Sequence, residues 1–264
     1  VTMKMTPTAV ALKSVRPGLI FLGLCVAFGV GVALLVSSGS EDSATATLGA
    51  ILLVLSGWVI SLCLHEFAHA FTAFRYGDHS AELRGYLTLN PLKYTHPGLS
   101  IALPLLIIAL GGIGFPGGAV FVNQAAFTKS QRTKVALAGP AANLIIGVVL
   151  CIALAAMPVA DDFGNVNLWS SFAMLAFLQF TALILNLIPV PGFDGYHAIE
   201  PYLSWDVRRS AEKIAPFGFL IVLVVLWLPV LNRAFFDLIE GLMGLFGVDS
   251  IFVSYGWHLF AFWL

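Results

Sequence analysis

Apolar runs of about 20 residues recur along this chain, and that recurrence restricts its fold more than any other feature. With 59% hydrophobic residues, 10% charged residues and a mean hydropathy of +0.94, the chain has too few polar groups to cover a water-soluble domain of its 264 residues. The reading is an all-α polytopic membrane protein of about five to six transmembrane helices. The first span, near residues 18–37, follows a basic start; no clear A-x-A site comes after it, so it reads as a retained signal anchor. Further spans are expected near 48–75, 135–157, 168–190 and 214–231, with an amphipathic stretch over 196–213 and an interfacial aromatic tail after them.

The region between residues 75 and 134 is less regular. RGYLTLN alternates as a short strand would, and Asn90-Pro91 ends it. The apolar stretch 99–113 is short and runs into GGIGFPGG, after which AVFVN looks extended. The expectation is a half-span and a re-entrant, β-like hairpin around residues 84–123. Non-helical backbone at that depth requires protein or a wet cavity around it. Three regions then divide the chain: the anchor and its loop (1–47), a core (48–200) and a C-terminal helix with the tail (201–264).

Charge sets the orientation. Loops 37–47 and 158–167 hold no Lys or Arg, whereas 1–17, 75–97, 123–134 and 204–213 hold three each, which places the latter in the cytoplasm. The net charge of -1 offers nothing to nucleic acid. Cys25, Cys63 and Cys151 each fall in an apolar span and read as small buried residues.

The second span carries His65-Glu66-Phe-Ala-His69 in its last third. On a helix the two histidines leave one face a turn apart, the spacing at which both bind one Zn²⁺. Glu66 projects beside them, where it can take a proton from water. In a soluble helix such a motif is sometimes coincidence. Inside an apolar span, however, three ionisable side chains are costly unless they are used.

A catalytic zinc takes three protein ligands, so a third is needed. Thr72 and Arg75 stand where a metzincin would carry its Gly and His, which excludes that class. Asp161 and Asp162 lie on the wrong side, and Asp78 and Glu82 beyond the helix end. Asp194 lies at the cytoplasmic end of a later apolar segment, after Pro189-Val-Pro191 has ended the helix and before Gly195, which permits a tight backbone. Asn186, eight residues earlier, either bonds a neighbouring helix or orients substrate and stabilises an oxyanion; its place beside Asp194 favours the second. Asn143, with Gly139-Pro140, starts a span where small residues usually serve packing, and it remains a candidate for supporting the site or the substrate. Gly117, Gly118, Pro189 and Gly195 are further candidates of that kind. His79, His96, His197 and His258 read as loop or interfacial residues.

The paired stretches H-E-F-A-H-A and N-L-I-P-V-P-G-F-D-G resemble the site-2 protease family of intramembrane zinc metalloproteases (peptidase family M50). G-P-A-A-N and L-T-L-N-P are similar to segments of its bacterial members. The resemblance spans about residues 50–200 and implies one Zn²⁺ per chain, held by His65, His69 and Asp194. Glu66 would be the general base and Asn186 would lie near the scissile carbonyl. It implies a minimal bacterial type, since the loops are too short for a PDZ insertion and no nucleotide-binding tail follows. A multi-pass protein of a bacterial inner membrane is expected, with its active site toward the cytoplasm. Its partners would be transmembrane substrates and the lipid bilayer, and a homo-oligomer is compatible.

Rival readings fare less well. A zinc transporter needs staggered sites through the membrane and leaves Glu66 without a role. A catalytically silent pseudoprotease is at odds with an intact Glu66. A CAAX-type endopeptidase would need a later E-x-x-x-H or E-x-x-x-D helix. The segment around Gly117 to Asn123 is also expected to pair with an unwound substrate as an added strand.

Overall fold

The structure, a computed structural model, describes residues 15–93, 126–156 and 165–261. Its long elements are helices: α1 (Leu19–Ser38), α2 (Ala44–Arg75), α3 (Lys129–Ala155) and α4 (Val166–Leu187). Shorter ones follow: α5 (Asp194–Ile199), α6 (Trp205–Ile214), α7 (Gly218–Leu226), α8 (Pro229–Gly244) and α9 (Ser250–Phe260). In an apolar solvent a helix satisfies its own backbone donors and acceptors, which is why apolar runs of this length adopt it. α2 has 32 residues. At 1.5 Å per residue it is about 48 Å long, more than the ~30 Å of a bilayer's hydrocarbon.

Among the described residues four helices are long and apolar enough to cross a membrane. A fifth span is reached only by counting the pair Trp205–Leu226 and Pro229–Gly244 as one, and that pair bends by 92°. Among the described residues the expected five to six spans are thus corrected to four, or five with the bent pair counted as one. The run 214–231 is continuous in hydropathy but not in backbone. Leu228, forced to extended geometry (ψ 120°) by the following Pro229, breaks the helix. The segment 99–113 lies outside the described residues.

The β-like hairpin is also corrected. No strand occurs among the described residues, and RGYLTLN folds into helical turns. Tyr86–Thr88 is a 3₁₀ turn entered through Gly85 (φ 75°) and left through Leu89 (φ 53°), both left-handed. Thr88 donates both its backbone N–H and its hydroxyl to the Gly85 carbonyl, at 3.2 and 2.6 Å. Asn90 accepts from the Leu92 N–H at 3.1 Å and starts the next turn, Pro91–Lys93. Local side-chain bonds thus supply the partners that a strand would have needed. The rest of that stretch, including Gly117 and Gly118, lies outside the described residues.

The chain divides into two compact units. Within the described residues, the first contains the C-terminal half of α2 from Leu62, α3 up to Ala142, and Asn186–Gly218. Tyr76, Phe127, Ala73 and Val135 form a small apolar cluster in it. The second contains most of α1, the start of α2, the end of α3, most of α4, and α7 to α9. There α1 and α2 approach so closely that a Cβ on Gly31 would lie 2.6 Å from the Leu53 nitrogen. The aromatic tail docks as α9, with Gly256 against the Ser170 carbonyl. This unit also holds a buried polar chain: Asn143 donates to Gln179 at 2.9 Å, Gln179 to Ser61 at 3.0 Å, and Ser61 to the Trp58 carbonyl at 2.7 Å. Such bonds join transmembrane helices because lipid offers no alternative partner. Cys63 and Cys151 are buried as expected, but Cys25 is exposed.

Candidate metal centre

α2 carries both histidines on one face, and the first unit brings a carboxylate to them. α4 stops at Leu187, and Gly192, with φ 103°, turns the chain after the prolines. Phe193 is extended, and α5 begins at Asp194. Gly195 is buried where a Cβ would overlap the Leu187 carbonyl and lie 2.8 Å from the Ile188 oxygen. The start of α5 is thereby pressed onto the end of α4, and Asp194 is held with it.

Asp194 Oδ2 lies 3.2 Å from His65 Nε2 and 3.4 Å from His69 Nε2, and the two Nε2 atoms are 3.1 Å apart. The imidazoles meet edge to face, their centroids 4.7 Å apart. His69 Nδ1 donates to the Val135 carbonyl of α3 at 2.7 Å, which orients the ring and leaves Nε2 as a lone pair. Thr133 ties α3 to α5, donating its hydroxyl to the Ala198 carbonyl at 2.7 Å. Burial alone would raise the Asp194 carboxyl; when the imidazoles beside it carry a proton, they outweigh burial and hold the group below the usual carboxylate range.

These atoms fit a divalent metal ion. The donors of His65, His69 and Asp194 lie within 4.8 Å of one another, and Asp194 Oδ2 is buried without a hydrogen bond. A buried carboxylate oxygen lacking a donor, beside two converging imidazole nitrogens, needs a cation to balance it. Two nitrogens and one oxygen, with a further position open, is a donor set of catalytic zinc sites. Glu66, adjacent to His65 on α2, is itself buried.

A Mycolicibacterium smegmatis protein provisionally named zinc metalloprotease Rip2 is 51% identical over 251 residues, 95% of this chain and 96% of that relative. Its namesake from Mycobacterium tuberculosis is 47% identical over the same shares. YwhC of Bacillus subtilis, also provisionally named a zinc metalloprotease, is 33% identical over 190 residues, 66% of this chain and 83% of the relative. The chain belongs to the site-2 protease family of zinc metalloproteases. No protein-family model matches it, and no solved structure gives a significant match.

In this site-2 protease the other candidate residues are distributed unevenly. Asn186 is half-buried in the last turn of α4, within the unit that holds the cluster. Pro189 is exposed in the turn that follows. Asn143 is buried and bonded to Gln179 in the other unit. Asp78 is used locally, accepting from the Ser80 hydroxyl at 2.6 Å. His197 pairs with Glu200 at 3.4 Å, and His258 with Asp42 at 3.2 Å. Sequence reasoning missed Val135 and Thr133. A backbone acceptor carries no residue-type signal, and a threonine near a helix start reads as ordinary.

Proposed function

We propose that this protein is an intramembrane zinc endopeptidase that hydrolyses peptide bonds of transmembrane substrates. The observation that carries the reading is the convergence of His65 Nε2, His69 Nε2 and Asp194 Oδ2 at a buried point beside Glu66. His65, His69 and Asp194 would hold one Zn²⁺ per chain. When bound, zinc supplies Lewis-acid chemistry that activates water and polarises a peptide carbonyl.

The residues of the chain do the rest. Glu66 takes one proton from water as the oxygen adds to the carbonyl carbon of the substrate. The C–N bond then breaks, and Glu66 returns that proton to the departing amine nitrogen. Asn186 is assigned to the substrate backbone, where a side-chain amide can donate to the carbonyl oxygen as charge develops on it. A helical substrate hides its carbonyls in internal bonds, so the stretch to be cut must unwind first.

Orientation follows from charge. Among the described residues every Lys and Arg except Arg233 belongs to the unit that holds the cluster. By the positive-inside rule that unit would face the cytoplasm, and the membrane would be a bacterial inner membrane.

The test is metal removal. Purified protein in micelles, given a peptide with a single membrane span, is expected to lose cleavage on chelation and regain it with about one zinc per chain. Cleavage that continues undiminished in the metal-stripped protein would contradict the assignment.

A further inference from the structure

α3 meets the cluster at two positions one turn apart. At Val135 it offers a carbonyl, which takes the Nδ1 hydrogen of His69. At Gly139 it offers bare backbone. A Cβ built there would lie 2.5 Å from Nε2 and 2.6 Å from Cε1 of His65, and closer still to Nε2 of His69. Real Cβ atoms essentially never approach within 3.0 Å, so something would have to move. The imidazoles are poorly placed to do so: one is anchored on Val135, and both face Asp194.

The distances have a second meaning. Zinc sits about 2.0–2.1 Å from imidazole nitrogen. A methyl group on residue 139 would stand at nearly that distance from both Nε2 atoms, where it would compete for the place of the ion. Glycine inside a helix is unfavourable relative to alanine. Its use on this buried face calls for a reason, and the cluster provides one.

We propose that Gly139 is a positioning residue for the metal: its missing side chain keeps the face between His65 and His69 clear for the ion. The inference rests on the reading of His65, His69 and Asp194 as ligands. Gly139 touches neither substrate nor reacting atoms in this account. It acts through the two imidazoles.

The experiment compares wild type, Gly139→Ala and Gly147→Ala in micelles, by zinc bound per chain, zinc affinity against a competing chelator, and thermal melting of the metal-free proteins. Gly147 serves as the control because it lies on the same helix and its added methyl would crowd the Phe180 ring at 3.2 Å instead of the histidines. Gly139→Ala is expected to weaken zinc binding by roughly 100-fold or more, at or beyond the upper end for residues that orient ligands. Metal-free Gly139→Ala should still fold and melt cooperatively, at a somewhat lower temperature than metal-free wild type because the methyl crowds the imidazoles, and Gly147→Ala should keep its zinc. Wild-type zinc affinity in Gly139→Ala would overturn the proposal. So would a Gly139→Ala protein that fails to fold while metal-free wild type folds, because the glycine would then serve packing. Equal zinc loss in Gly147→Ala would overturn it as well. If wild type itself binds no zinc, the metal-site reading fails first; if wild type and Gly139→Ala bind it alike, only the role of Gly139 does.

Discussion

Thr133→Val probes how the third ligand is held. The hydroxyl of Thr133 donates to the Ala198 carbonyl at 2.7 Å, and this bond ties α3, which orients His69 through Val135, to α5, which begins with Asp194. Valine keeps the shape and deletes the donor. A neutral hydrogen bond contributes about 1 kcal/mol net, and leaving a buried acceptor with one partner fewer raises the loss to about 2 kcal/mol. Ala198 is buried, so the higher figure is the relevant one. If that energy serves to hold Asp194 against the histidines, it is lost from metal binding, and 1–2 kcal/mol corresponds to a roughly 5–30-fold weaker zinc affinity. The assay is competition with a chelator of known affinity in micelles. Thr133→Ser retains the donor and should stay near wild type. Unchanged affinity in Thr133→Val, or an equal loss in Thr133→Ser, would refute the argument.

Other substitutions test other parts of the account. Asp194→Asn keeps the outline of the side chain but removes its charge, and it should lower zinc affinity by more than the roughly 10–100-fold typical of an outer partner; metal analysis after dialysis checks this. Zinc retention should also fall as pH is lowered, because protons compete for the same imidazole and carboxylate lone pairs; retention that rises on acidification would contradict the donor set. Gln179→Leu removes both bonds of the buried polar chain to Asn143 and Ser61. It should destabilise the protein in mixed micelles by about 1–2 kcal/mol, read from denaturant unfolding.

Much of the centre was readable because its chemistry is periodic or punctuated. His65 and His69 announce themselves by helical spacing inside an apolar run, and Pro189 and Pro191 mark the break that delivers Asp194. The fold was readable wherever a long apolar run dictates helix, as in α1 to α4. It misled where one pattern serves two structures. The alternation in RGYLTLN suits a strand, yet the left-handed Gly85 and Leu89 turn it into 3₁₀ geometry. Leu89 gave no warning, because only glycine is expected at positive φ. The run 214–231 looked like one span on hydropathy alone, although Pro229 was present to break it. Gly139 looked like helix packing, since nothing in a sequence says which face of a helix a glycine clears.

The most direct test of the central claim pairs two readouts on purified wild type and Glu66→Gln: zinc per chain, and cleavage of a peptide with one membrane span. Glutamine keeps the size of the side chain but cannot accept and return a proton as the carboxylate does. The account predicts full zinc in both proteins, with cleavage in Glu66→Gln reduced by about 10²–10⁴-fold, the usual worth of a general base. Equal cleavage by the two would contradict it.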